Sequence, residues 1–175
     1  DKYIGDAIMI FFGDPLSNGI KKDAIACVSM ALAMKKKLRQ LKKDWKKTGL
    51  SESLDVRMGI HTDVCTVGNF GSSDRLDYTV LGNGVNLASR LESLAKANQI
   101  LISENTHNLI KNRIKCEFYD EVKVKGRAHS IKAYEVLEQI SGKKDQAVIK
   151  VSKNGFELNL DKEEIRNKEQ ILEIL

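Results

Sequence analysis

The hydrophobic period of this chain switches between helical and strand-like, and that switch constrains the fold more than any other feature. Between residues 22 and 43, Ile25, Val28, Leu32, Leu38 and Leu41 recur at roughly helical spacing beneath a lysine-rich outer side. From Leu54 the period drops to two, with Leu54, Val56, Met58 and Ile60 on one face of a strand and Asp55, Arg57, Gly59 and His61 on the other. Helical spacing returns over residues 84–95, where Leu87, Ala88, Leu91 and Ala95 form a stripe. Asn86 and Arg90, four apart, share nearly the opposite side. Such alternation predicts the α+β class, with helices packed on a mixed or antiparallel sheet.

The intervening punctuation supplies the connections. Lys2 to Ile4 and Ala7 to Phe12 read as short strands, and Gly5-Asp6 between them is a two-residue hairpin break that puts Asp6 at the tip. Pro15, the only proline, stops the second strand. Gly68, Gly71, Ser72, Ser73 and Asp74 read as a loop, Leu76 to Leu81 as a strand, and Gly82-Asn83-Gly84 as the break before the second helix. A strand over Ile100 to Ile102 leads into a short helix after Ser103, with Glu104 in its first turn. A paired unit follows, Phe118 to Lys125 and Ile131 to Leu137. Beyond Ser141, SGKKDQ reads as a linker, AVIKVSKNGFELNLD as a hairpin turning at Asn154-Gly155, and Lys162 to Leu175 as a helix. The expected division is a domain over residues 1–138 and an extension of linker, hairpin and helix over 139–175.

Size and composition narrow the class further. A chain of 175 residues holds one ordinary core, which at this size buries about 70% of the unfolded surface. With 42% hydrophobic and 30% charged residues it is globular, and no run approaches the ~18 apolar residues of a membrane span. Cys27, Cys65 and Cys116 are an odd, widely spaced set without a CxxC pair, which fits neither a disulfide framework nor a zinc site and points to a reducing, cytoplasmic setting. The net charge of +5 is concentrated in Lys35, Lys36, Lys37, Lys42, Lys43, Lys46 and Lys47, which reads as a solvated helix face rather than a nucleic-acid surface.

Three stretches carry chemistry: KYIGDAIMIFFGDP, VRMGIHT and RLDYTVLGNGVNLASRLES. Together, in this order and at these spacings, they resemble the catalytic domain of class III adenylyl and guanylyl cyclases, over residues 1 to about 138. Alone, each part is weak, since Asp6 would be a turn former and Asn86 with Arg90 a solvated helix pair. The resemblance implies a ferredoxin-like, palm-type sandwich. It also implies conversion of ATP to cyclic AMP and pyrophosphate with two Mg²⁺ (or Mn²⁺) ions per site, Asp6 binding metal. The family's other metal-binding aspartate lies upstream of the stretch given, which opens with Asp in a strand-like pattern, so the segment alone is expected to be inactive.

By the same resemblance Lys2 and Thr79 read the adenine base, with Thr79 as in a bacterial subgroup. Arg57 and Lys125 hold the triphosphate, and Asn86 and Arg90 orient the ribose and stabilise charge on the α-phosphate. The chemistry suits those residue types. Adenine offers an acceptor at N1 for an ammonium and a donor at its 6-amino group for a hydroxyl, and guanine reverses both needs. The aspartates and Arg57 would come from one subunit and Lys2, Thr79, Asn86, Arg90 and Lys125 from the other, which implies a homodimer with sites at its interface.

Asn83, where the family commonly has an acidic residue, and Asp63, where glycine is usual, depart from the pattern. Two alternatives stay open, a guanylyl or dual-specificity enzyme and a catalytically silent nucleotide-binding regulatory domain. A diguanylate cyclase is disfavoured because its acidic loop is missing. The expected partners are ATP and a second copy of the domain, with neither nucleic acid nor membrane contacted by this segment. The family's variety of upstream sensor and membrane domains leaves a tether to the inner face of a membrane open. His61, His107 and His129 receive no role.

Overall fold

The computed structural model describes residues 2–49, 54–122, 130–139, 148–153 and 156–161, with side chains up to residue 138. Two compact units are present, Asp1–Gln139 and Ile140–Leu175. Within the second, β9 (Val148–Lys153) and β10 (Phe156–Asp161) pair antiparallel. The expected linker at 141–146, the Asn154-Gly155 turn and the terminal helix at 162–175 lie outside the described residues.

The first unit is built on a four-stranded sheet of order β3-β6-β8-β7, formed by β3 (Met58–Ile60), β6 (Ile100–Ser103), β8 (Ile131–Gln139) and β7 (Ile114–Val122). β3 runs parallel to β6, and the other pairs are antiparallel. Every residue of β6 is buried, as a central strand covered on both sides requires. Its alternating side chains split between two cores. Ile100 and Ile102 meet Ala24, Val28 and Ala31 of α1 (Ile20–Lys47) and Ile110 of α3 (Glu104–Ile110). Leu101 meets Leu87 and Leu91 of α2 (Asn83–Leu94) on the opposite face. The fold is therefore α+β, with helices on both faces of a mixed, mostly antiparallel sheet.

Helix α1 starts at Gly19, whose φ of 97° only glycine adopts easily. Asp23 in its first turn accepts hydrogen bonds from Ser17 Oγ (2.5 Å) and the Asn18 amide (3.1 Å), a negative group where the helix dipole favours one. Lys46 and Lys47 occupy the last turn, the end that favours cations. Helix α2 lies on β3 because Gly59 has no side chain. A Cβ there would stand 2.2 Å from both the Ala88 carbonyl oxygen and the Glu92 nitrogen.

Two further hairpins complete the unit. β1 (Lys2–Ile4) and β2 (Ala7–Met9) pair with Ile4 opposite Ala7, so Gly5-Asp6 is the two-residue turn, with Gly5 at φ 62°. β2 stops at Met9, opposite Lys2, three residues short of the expected end at Phe12. The expected strand from Leu54 likewise begins only at Met58, the first residue in register with β6.

The larger correction concerns Gly68–Ser72, expected as loop. They belong to β4 (Thr66–Ser72), paired with β5 (Arg75–Leu81) through a Ser73-Asp74 turn. Glycine, asparagine and serine are poor strand formers, but a complete antiparallel ladder overrides that preference. At Gly71, with φ 138°, a Cβ would lie 2.0 Å from the Arg75 carbonyl oxygen, so this glycine is a requirement of the hairpin.

Candidate active site

The first hairpin carries two of the expected residues. Asp6 is exposed at its tip, a hard oxygen donor of the kind that holds Mg²⁺. Among the described residues no group of three or more histidine, cysteine, aspartate or glutamate side chains is placed to hold a metal ion. Lys2, at the start of β1, reaches β5 and pairs through Nζ with the Asp77 carboxylate. Thr79 lies two residues along the same strand, and thus on the same side as Asp77. Opposite Thr79 in the ladder is Gly68, which leaves the space beside the hydroxyl free of a cross-strand side chain. The expected pair therefore shares one strand surface, but the direct partner of Lys2 is Asp77, not Thr79.

Helix α2 presents Asn86 and Arg90 outward, both exposed, while Leu87 and Leu91 hold it to the sheet. Among the described residues, neither polar side chain is engaged by a hydrogen bond or ion pair. Their four-residue spacing puts them on one side of the helix. Arg57 is turned toward the same helix, its Nε donating to Glu92 Oε1 at 2.5 Å. Arg57 and Gly59 share the side of the chain that meets α2, which explains the contact. Lys125 lies outside the described residues.

Sequence reasoning missed Asp77 and Glu92 as partners, and it gave His61 no place. The His61 ring is buried at the β3 end, with Nδ1 2.6 Å from Ser103 Oγ and Nε2 3.4 Å from Asp63 Oδ2. A serine, a histidine and an aspartate in that sequence suggest a hydrolytic triad. Ser103 is fully buried, however, and its hydroxyl accepts from the Thr106 amide as the cap of α3, so no substrate reaches it. The group is structural. Asp63, the departure from the usual glycine, also caps its own loop by accepting from the Val64 amide at 2.9 Å.

The thiols are all shifted toward the protonated form. Burial pushes Cys27 and Cys116 up to about 11. Cys65 is also raised, by burial first and then by the Asp63 carboxylate, against a smaller lowering by the Gly84 and Val85 amides. On β5, Tyr78 donates its hydroxyl to Asp14, which raises its pKa, and its ring sits 6.4 Å from that of Phe11.

Comparison with known proteins places this arrangement in a family. The pattern of the adenylate and guanylate cyclase catalytic domain matches residues 2–138, and the chain belongs to that family. An adenylate cyclase of Anabaena cylindrica is 38% identical over 145 residues, 78% of this chain and 27% of that protein. The terminal-differentiation specific adenylate cyclase of Dictyostelium discoideum is 33% identical over 168 residues, 90% of this chain and 8% of its own length. The chain thus spans about a quarter or less of these relatives. Among solved structures, the adenylyl cyclase CyaB from P. aeruginosa is 48% identical with a TM-score of 0.76, over 81% of this chain and 72% of that one. The fold is the palm-type fold of these cyclases.

Proposed function

We propose that this domain converts ATP to 3′,5′-cyclic AMP and pyrophosphate, as the catalytic part of an adenylyl cyclase acting at the interface of a homodimer. The observation that carries the reading is the Lys2 ammonium lying against the strand that bears Thr79. An ammonium donates to adenine N1 and a hydroxyl accepts from the 6-amino group, whereas guanine would set its N1–H donor against the ammonium. The likeness to CyaB and to two adenylate cyclases supports the same substrate.

Asn86 and Arg90 orient the ribose and meet the charge that gathers on the α-phosphate as the 3′-oxygen attacks and pyrophosphate leaves. Arg57 and Lys125 hold the triphosphate, Arg57 after exchanging Glu92 for phosphate. Asp6 fits Mg²⁺ or Mn²⁺ as one carboxylate ligand of a two-ion site. Such ions, when bound, neutralise phosphate charge and favour ionisation of the attacking hydroxyl. Tyr3, Ile4 and Ile8 on the first hairpin and Leu76 and Tyr78 on β5 are large side chains left exposed, which suits burial against a second copy. The described residues include no helix long and apolar enough to cross a membrane. We further propose that residues 1–138 form the catalytic unit and that the protein works in the cytoplasm in signal transduction.

The test is a competition assay of the whole protein with ATP and GTP in Mg²⁺ or Mn²⁺, alongside sedimentation. Cyclic AMP as main product from a dimer is expected. Cyclic GMP as main product would overturn the adenine assignment, an alternative kept open by relatives such as guanylate cyclase 32E of Drosophila melanogaster, 37% identical over 108 residues. A dimer that binds nucleotide without turnover would indicate a silent regulatory domain.

A further inference from the structure

We infer that the C-terminal half of α1 is a docking ridge for an anionic lipid surface. Residues 35–47 hold eight cations and one acid, Asp44. That stretch carries +7 in a chain whose net charge is +5, which leaves −2 on everything else. The chain therefore meets a charged surface with one preferred side.

The cations are also arranged one-sidedly. At 100° per residue Lys36, Arg39, Lys43, Lys46 and Lys47 fall within a ~100° arc and run about 16 Å along the helix. All five are exposed. Lys42, half-buried, is turned instead toward the body of the domain, where it pairs with Asp55 ahead of β3. Asp44 stands round the helix from the ridge and accepts from Gln40 at 3.2 Å. Among the described residues, Lys47 alone of the five has an ion-pair partner, Asp44 at 3.6 Å.

Solvation alone does not call for this pattern. The helix dipole accounts for Lys46 and Lys47 in the last turn, but not for Lys36 and Arg39 in mid-helix. Like charges three and four residues apart, such as Arg39, Lys43 and Lys47, destabilise a helix. The crowding is felt by Lys35, whose pKa is lowered by burial first and then by the Arg39 guanidinium, against a raising by Glu135. A dense anionic plane offsets that repulsion.

The residue types favour lipid over other polyanions. Four of the five are lysines, point charges suited to a field spread over many headgroups, and a single arginine supplies the fork that bidentate phosphate or base recognition uses. No ring on the ridge offers a base a stacking platform, since Trp45 is half-buried on nearly the opposite side. Helices α1 and α2 cover opposite faces of the sheet, so docking through α1 leaves Asn86 and Arg90 open to solution.

The experiment measures co-sedimentation of the whole protein with vesicles of phosphatidylcholine alone or with about 30% phosphatidylserine, at about 50 and about 500 mM NaCl. Two ridge variants, Lys43→Gln/Lys46→Gln/Lys47→Gln and Lys36→Gln/Arg39→Gln, are compared with Lys21→Gln/Lys22→Gln/Lys96→Gln, exposed lysines off the ridge. The native protein should bind the phosphatidylserine vesicles at low salt and release them at high salt. At about fivefold per cation, partition should fall roughly a hundredfold in the first ridge variant and about 25-fold in the second, and stay within about threefold in the control. Thermal midpoints and cyclase activity in vesicle-free solution should match the native protein in all three. Equal binding to both vesicle types, or losses no larger in the ridge variants than in the control, would overturn the inference. Duplex DNA and polyglutamate are run in parallel; tighter binding to either, lost in the ridge variants, would overturn the assignment to lipid.

Discussion

The β6-centred sandwich and the paired hairpins are held by different forces. In the sandwich, β6 is buried along its whole length and feeds alternate side chains to two apolar cores. The hairpins β1-β2 and β4-β5 leave Tyr3, Ile4, Leu76 and Tyr78 open; an ion pair joins β1 to β5, and a hydrogen bond and a ring contact join β5 to Asp14 and Phe11 just beyond β2. The first region supplies stability, and the second presents Asp6, Lys2 and Thr79. Helix α2 joins the two roles, with one face in the core and Asn86 and Arg90 on the other.

The sharpest way to break this division is Gly59→Ala. Its Cβ would meet backbone atoms, which cannot turn aside as a flexible side chain can, so α2 must lift from β3. A loss of about 3 kcal/mol or more is expected by chemical denaturation, together with loss of activity. Arg90→Ala should do the reverse. On the proposed function it lowers kcat by about 10² to 10³ and leaves the thermal midpoint within a degree or two. A collapse of the midpoint would mean that the outer face of α2 is structural.

The alkaline limb sharpens the contrast from the core side. Burial raises the Cys27 thiol from its ordinary 9.0 to about 11, so the folded chain holds this proton more tightly than the unfolded one. The resulting stability is fully present below pH 9 and is lost as pH rises through 11, a span on the order of 3 kcal/mol. Denaturation midpoints of the native chain and Cys27→Ala, compared at pH 8 and 10.5, should converge at the higher pH. Parallel lines would refute the assignment. Glu92→Gln is the smallest step. It frees Arg57 at less than about 1 kcal/mol of stability, since the pair is half exposed, and should lower KM for ATP slightly as Arg57 no longer has a partner to exchange.

These two regions were also unequally legible. Periodicity located α1, α2, β5 and β6 within one to four residues of their ends, because each buries one face or both. The Gly5-Asp6 turn was equally readable, since a two-residue break fixes the register. β4 was not, because its glycines and serines carry no strand signal and only the ladder with β5 makes them extended. The order β3-β6-β8-β7 also escapes local reading, as it depends on which faces cover one another. At the site, motif positions were readable, but Lys2–Asp77 and Arg57–Glu92 join residues 75 and 35 positions apart. Period two nevertheless put Asp77 beside Thr79, the one hint the sequence contained.

The bare backbone at Gly59 has a mechanical corollary. Where side chains separate a helix from a strand, rotamers absorb small displacements; here peptide rests on peptide, with no cushion between. Any shear of that strand is passed undamped to the whole helix, so the amide and guanidinium it displays travel as one rigid piece.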